Sequence, residues 1–422
     1  DGLVRQIRVD GDALIWAGSD GVFRGDHRGI VTQLGSASGF EGAATDVRRS
    51  PSGGLWISGQ EGIHTLPSDY ATMTRFTKVK QGRATRPLID NRLARGSKVG
   101  GDWLWLAGAD VMVADASSLE TIGFFELGPS ESAWVACSHP SNDAIWVGTN
   151  QRLLRIAEKP GRSRFGQHSI ESMEIDGRRF EVSATQFSRT TACLSYEFRG
   201  RTGLCFSRPA GITCFDDNGE TRSFDHQHGL PKAAMQGLAL DSEGRLYSGS
   251  YANGLYRSHS SIDVLMTADT PLFTDLSIGP LSLPTKNVEA ISFVDDHLLL
   301  ATDAGLLIYG IGEVKPAHHL HADNGLGNTY VYAIAPDGKG SVWVGGNEGI
   351  TRVEVRTGKI LDRLAKAQGL LDQETPWHQS ISSLPEGGVA FATNNTHVIY
   401  RPSELGRAQP QDLKVTIRNV SL

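Results

Sequence analysis

The chain has 422 residues and a formal net charge of -6, and it is 39% hydrophobic and 21% charged, with 49 glycines, four cysteines and eight tryptophans. That length is ample for a packed core without disulfide or metal staples. The mild, mixed charge argues against a nucleic acid or an anionic membrane surface as partner, and no apolar run approaches the roughly 18 residues of a membrane span.

One β-hairpin pattern recurs from end to end. It reads LIWAGSDGVFR at 14–24, LWISGQEGIHTL at 55–66, LWLAGADVMVAD at 104–115 and IWVGTNQRLLRI at 145–156. A weaker copy, LCFSRPAGITCF, stands at 204–215, followed by LYSGSYANGLYR at 246–257 and LLLATDAGLLIY at 298–309. The fullest copy is SVWVGGNEGITRV at 341–353, and the last is AFATNNTHVIY at 390–400. Valine and tryptophan suit a pleated, half-buried surface, and the glycines are expected to supply positive φ angles in the turns.

The key position of the pattern is held by Trp16, Trp56, Trp105, Trp146, Cys205, Tyr247, Leu299, Trp343 and Phe391. Its spacing matches the roughly 45 residues of a four-stranded propeller blade. Each copy is preceded by an alternating run and followed by a shorter one, which makes four strands per unit. No long stretch has helical periodicity, and 360–368 reads as one short turn-like segment. The expected fold is all-β, a single closed β-propeller of about nine four-stranded blades, with seven or eight as the alternative counts. The key aromatic is expected to fill the gap between successive blades, where burying roughly 200 Å² is worth up to about 5 kcal/mol.

The cysteines are Cys137, Cys193, Cys205 and Cys214. The last three fall on consecutive expected strands, so a disulfide from Cys205 to either neighbour is feasible and would suit an oxidising compartment. Small buried apolar thiols are the alternative. The charged segment 171–189, ESMEIDGRRFEVSATQFSR, is an insertion. It is expected to be a longer hairpin projecting from the fifth blade, either solvated or a partner contact. Longer connections at 224–232, 318–330 and 366–380 share a Gly-Leu element and lead into inner strands on one face.

A Gly-Leu element followed by a D-x-x-G turn and the Trp hairpin resembles the two-component regulator propeller family. The residues are Asn324-Gly325-Leu326-Gly327-Asn328, then Asp337 through Trp343 to Ile350. Gly229-Leu230-Pro231, Asp241 to Gly244 and Tyr247 repeat the pattern. The resemblance implies a non-catalytic extracytoplasmic sensor, periplasmic or extracellular. It would belong to a membrane-anchored protein with a histidine kinase or diguanylate cyclase output. An oligosaccharide is the implied ligand class, although this chain holds one ring rather than the two of the best-known carbohydrate sensors. The chain, starting at Asp1 within a strand pattern, is expected to be a processed protein or an excised domain. Residues 1–408 are expected to form the propeller, and 409–422 a strand that closes the ring or starts a following β-sandwich. Membrane contact would come only through segments outside this sequence, and a homodimer is one route for the signal.

Residues 372–378 are the most suggestive ligand loop. Trp377 stands outside the repeated aromatic position, beside Asp372, Glu374 and His378, and so offers a stacking face and fixed polar partners. Tyr330, Asn324 and Asn328, with Asn347, Glu348, Tyr251 and Asn253 on hairpin loops, are secondary candidates. The histidine groups at 226–228 and 318–321 lack metal-ligand spacing, so neither metal nor cofactor is expected. A lyase-like propeller enzyme, resembling streptogramin lyases and using His228 or His378 with Glu374, is one alternative. A protein-interaction scaffold is the other.

Overall fold

A computed structural model of the chain describes residues 3–400 with short internal breaks, the longer ones at 26–30, 35–39, 67–72, 97–102, 116–120, 159–167 and 366–373. The chain divides into two compact units, Asp1–Thr74 with Tyr400–Leu422, and Arg75–Ile399. In the smaller unit, repeat one is a four-stranded sheet and repeat two a three-stranded one. Their shared core is Ile15, Val22, Leu34, Phe40, Val47, Leu55 and Ile57.

The larger unit holds repeats three to nine. Repeats five to eight are four-stranded antiparallel meanders. Repeat eight runs through Val331–Pro336, Ser341–Gly346, Gly349–Glu354 and Ile360–Leu364. The segment read as turn-like is thus the fourth strand, held by pairing of Thr351 with Arg363 and Ile350 with Leu364. In repeat nine, Ile381–Ser383 pairs with Val389–Ala392.

Period-2 alternation sends the two faces of each sheet to different neighbours. In repeat seven, Leu298, Leu300, Leu307 and Tyr309 pack with Tyr247 and Leu255 of repeat six. Leu299, Ala301, Leu306 and Ile308 pack with Val342, Val344 and Val353 of repeat eight. In repeats three to seven the key position faces forward: Trp105, Trp146, Cys205, Tyr247 and Leu299 each lie in the core shared with the next repeat. The expected inter-blade role therefore holds for these five. It does not hold for Trp56, which is 48% exposed, or for Trp16, which is half-buried beside Phe23.

The first strands of these sheets neighbour one another in sequence, Arg92–Gly96, Ala133–Ser138, Cys193–Phe198, Met235–Leu240, Val288–Val294, Val331–Pro336 and Ile381–Ser383, and the last also neighbours the first. Such a cycle is how sheets are arranged about a central axis. Seven of the nine repeats take part in it, and repeats one and two lie in the smaller unit.

Repeats three and four depart from four strands each. They merge into a nine-stranded sheet through a hairpin of His168–Ile175 and Arg178–Gln186. This hairpin is the 171–189 insertion. It forms the outer edge of repeat four rather than a projection from repeat five, because Arg178–Gln186 pairs with Arg152–Ala157. Nor is it solvated throughout. Met173, Ile175, Phe180 and Val182 are buried, and Phe180 meets Trp103 edge-on at 5.9 Å. Gly123 permits the junction with repeat three, since a Cβ there would lie 3.1 Å from the carbonyl oxygen of Glu174.

The turn glycines divide by role. Gly349 has φ +97. Gly345 and Gly346 are needed for close approach instead, because a Cβ would meet Ile381 at 2.4 Å and the Tyr330 carbonyl oxygen at 2.1 Å respectively. The D-x-x-G turns are locked by their aspartates. Asp241 Oδ1 accepts from the Glu243 and Arg245 amides at 3.0 and 2.8 Å, and Asp337 Oδ1 accepts from the Lys339 and Ser341 amides at 2.8 and 3.1 Å. Burial would raise the Asp337 pKa, but hydrogen bonds from Ser341, the Lys339 amide and Arg352 outweigh it and hold the carboxyl below its ordinary value.

All four cysteines are paired, so they are not buried free thiols. Cys205 bonds to Cys214 across two strands of repeat five, and Cys193 bonds to Cys137, 56 residues away, on the first strand of repeat four.

These burial patterns set up a comparison of two tryptophans. Trp343→Ala should lower unfolding free energy by about 3–5 kcal/mol, whereas Trp56→Ala should cost about 1 kcal/mol or less. Chemical denaturation of both variants measures the difference.

Candidate functional site

The first strands share a further feature. Pairing with the second strand slips at the start of four of them in the larger unit, between Ala133 and Val135, Met235 and Leu238, Val288 and Ala290, and Val331 and Ala333. A β-bulge at such a point inserts a residue and re-aims its side chain. The residues released from the ladder include Trp134, Gln236, Glu289 and Tyr332. The strands carrying Gln236, Glu289 and Tyr332 neighbour one another in that order.

Repeats seven and eight supply a connected polar cluster at this end. Tyr330 Oη donates to Glu289 Oε1 at 2.6 Å, and Asn287 Nδ2 donates to Tyr330 Oη. The Tyr330 and Tyr332 rings stack with centroids 4.4 Å apart. Glu289 and Asn287 are buried, while both tyrosines are half-buried. Three buried oxygens here and nearby lack a hydrogen-bond partner among the described residues: Asn287 Oδ1, Gln236 Oε1 and Asp303 Oδ1. Such groups cost roughly 1–3 kcal/mol each when left unmet, so this end of the first strands carries acceptors open to a donor.

Burial raises the Tyr330 pKa, and the hydrogen bond to Glu289 and that carboxylate's charge raise it further. Burial, then the charges of Glu374 and Glu289, raise that of Tyr332. Both phenols therefore remain protonated around neutral pH. They serve as stacking faces and hydrogen-bond donors rather than as bases.

The sequence candidates fall into three groups. Tyr330 and Glu374 belong to this cluster, Tyr330 by contact and Glu374 through its field at Tyr332. Asn328, Asn347 and Glu348 form the adjoining loop, where Asn328 Oδ1 accepts from the Glu348 amide at 2.7 Å and Asn347 Oδ1 from the Tyr330 amide at 3.1 Å. The other described candidates hold local turns. Asn324 closes a 3₁₀ turn at Ala322–Asn324, His228 completes the capping box of His226–His228 with Asp225, and Asn253 bonds the carbonyl of exposed Tyr251 in repeat six. Asp372, Trp377 and His378 lie outside the described residues. His318 and His319 are bonded to the carbonyls of Arg356 and Ala304, and among the described residues no three His, Cys, Asp or Glu side chains gather as a metal site.

Sequence reading missed Gln236, Glu289, Tyr332 and Asn287. For the first three the signal is a polar or large aromatic residue one place inside an otherwise apolar first strand, as in Met235-Gln236-Gly237 and Val288-Glu289-Ala290.

Residues 325–348 match the family model described as two component regulator propeller. That stretch carries Gly325-Leu326, both stacked tyrosines and Trp343. The extracellular domain of BT4673 of B. thetaiotaomicron, described as a one component system, is similar over 95% of this chain and 61% of its own length, at 13% identity and a TM-score of 0.37. That of BT3049 of the same organism, described as a hybrid two component system, is similar over 95% and 56%, at 15% identity and a TM-score of 0.38. The computationally designed protein Ika8 is similar over 95% and 96%, at 11% identity and a TM-score of 0.37. The chain thus spans less than two thirds of the two bacterial domains. Likenesses this loose set neither a ligand nor a blade number. No curated protein matches the chain significantly.

Tyr330→Phe removes the hydroxyl group that bonds buried Glu289. It should destabilise the chain by about 1–3 kcal/mol, and thermal unfolding beside the wild type checks this.

Proposed function

We propose that this chain is the non-catalytic, extracytoplasmic ligand-binding propeller of a transmembrane signalling protein, with a histidine kinase or diguanylate cyclase output. A small hydroxyl-rich molecule binds at the mouth formed by the bulged first strands, and an oligosaccharide is the class that fits best. The observation carrying this reading is the buried cluster of Asn287, Glu289, Tyr330 and Tyr332, with unpartnered amide oxygens at Asn287 and Gln236. Stacked rings give a sugar an apolar floor, and acceptors take its hydroxyl protons.

Two further observations support it. The cluster lies partly within the matched family repeat. Two disulfides in one chain suit an oxidising compartment outside the cytoplasm. Signalling then requires that the ligand favour one of two states, either of sheet packing or of dimer arrangement.

The test is the melting temperature of the purified chain against neutral oligosaccharides, amino acids and divalent metals. A ligand at a hundred times its dissociation constant should add about 2.7 kcal/mol of stability. A saccharide shift that disappears in Tyr332→Ala supports the reading. Silence across the saccharides, or a response to metal alone, overturns it, and the second result would favour a lyase-like enzyme.

A further inference from the structure

A cavity far along the chain from the Tyr330 cluster opens between repeats four and five. It has a volume of about 540 Å³ and is lined by Gln186, Phe187, Ser188, Arg208, Phe215 and Ser223, among others. That volume lies within the roughly 300–1,000 Å³ of small-molecule sites. One wall is the end of the inserted hairpin and the residues just after it. The other is the face of repeat five that packs on Trp146 and Leu153.

Among the described residues, Arg208 is the only charged side chain in the lining. Its guanidinium is bonded to hydroxyl groups alone: Nε to Ser188 at 3.4 Å, and Nη1 to Thr213 at 3.2 Å and Ser223 at 3.4 Å. Among the described residues it has no carboxylate partner, and its Nη2 makes no hydrogen bond. The Phe187 ring centroid lies 5.8 Å from the guanidinium carbon. Phe187 in turn packs near Phe206 and Phe215, with ring centroids 6.1 and 6.2 Å away. A half-buried guanidinium held only by neutral hydroxyls leaves its planar fork for an incoming anion. The aromatic floor beside it suits a flat, weakly polar body.

We infer that this cleft binds a small organic carboxylate with a ring or apolar body, its carboxylate on Arg208 and its ring against Phe187 and Phe215. The inserted hairpin then has a role that repeat closure does not require: it supplies Phe187 and Ser188 as one wall of a binding site. This site is independent of the mouth of the first strands.

Calorimetric titration of the full chain with benzoate, phenylacetate, acetate, benzamide and inorganic phosphate tests the inference. Benzoate or phenylacetate should bind, with benzamide and phosphate at least about tenfold weaker, because only a carboxylate with a ring satisfies both walls. Arg208→Gln should weaken the carboxylate about tenfold or more, with Arg208→Lys between the two. Phe187→Leu leaves the guanidinium in place and should weaken benzoate while leaving acetate unchanged. Tyr332→Ala, at the mouth, should leave benzoate binding as it is, which separates failure here from failure there. The inference is overturned if neither aromatic carboxylate binds, if benzamide or phosphate binds as tightly, or if Arg208→Gln and Phe187→Leu leave the affinity unchanged.

Discussion

The sheets of repeats four to seven each have two apolar faces and cannot bury either within their own repeat. Repeat seven shows the constraint directly, with alternate residues of Leu298–Ala301 consigned to repeat six and repeat eight. Each sheet is therefore stable only between two others, and successive sheets must stack around an axis. Burying the key residue against the following repeat sets the spacing of that stack. Where the spacing would leave a gap, the chain adds material. The hairpin between repeats three and four does so, seating Phe180 against Trp103. The Cys137–Cys193 bond adds a covalent tie between the first strands of repeats four and five.

The proposed function rests on what this stacking leaves over. First strands that converge on an axis cannot all stay paired and apolar to their ends. The bulges at Trp134, Gln236, Glu289 and Tyr332 release one polar or aromatic residue per repeat where the strands converge. The cost appears as buried amide oxygens without partners and as tyrosines whose ionisation is suppressed. Unmet acceptors beside stacked rings form a preorganised surface for a donor-rich ligand. The Arg208 cleft arises by a different route, at the far edge of an inter-sheet core where a packed aromatic cluster meets solvent.

Much of the fold was legible in the sequence because it rests on periodicity. Alternation, turn glycines and the key residue of each hairpin located the repeats, and the Asp337 and Asp241 turns form as their spacing implied. The departures have local causes. Trp56 carries the motif yet is exposed, because the core of the smaller unit is built from Ile15, Val47, Leu55 and Ile57 instead. The 171–189 segment looked solvated because its charges conceal an alternating apolar set, Met173 and Ile175 against Phe180 and Val182. Cys193 pairs with Cys137 in another repeat, and sequence adjacency could not show that.

The site was only partly legible. Tyr330 and its neighbouring asparagines were marked by their place before a strand, although Asn324 and His228 proved to hold 3₁₀ turns. Glu289 and Gln236 were hidden because a β-bulge is a matter of register between two strands, and one strand's sequence does not display it. Hydrogen–deuterium exchange of the chain with and without a saturating saccharide hit tests the central claim most directly. The account predicts added protection concentrated at the starts of Met235–Leu240, Val288–Val294 and Val331–Pro336. Protection confined to other segments, with these three unchanged, would contradict it.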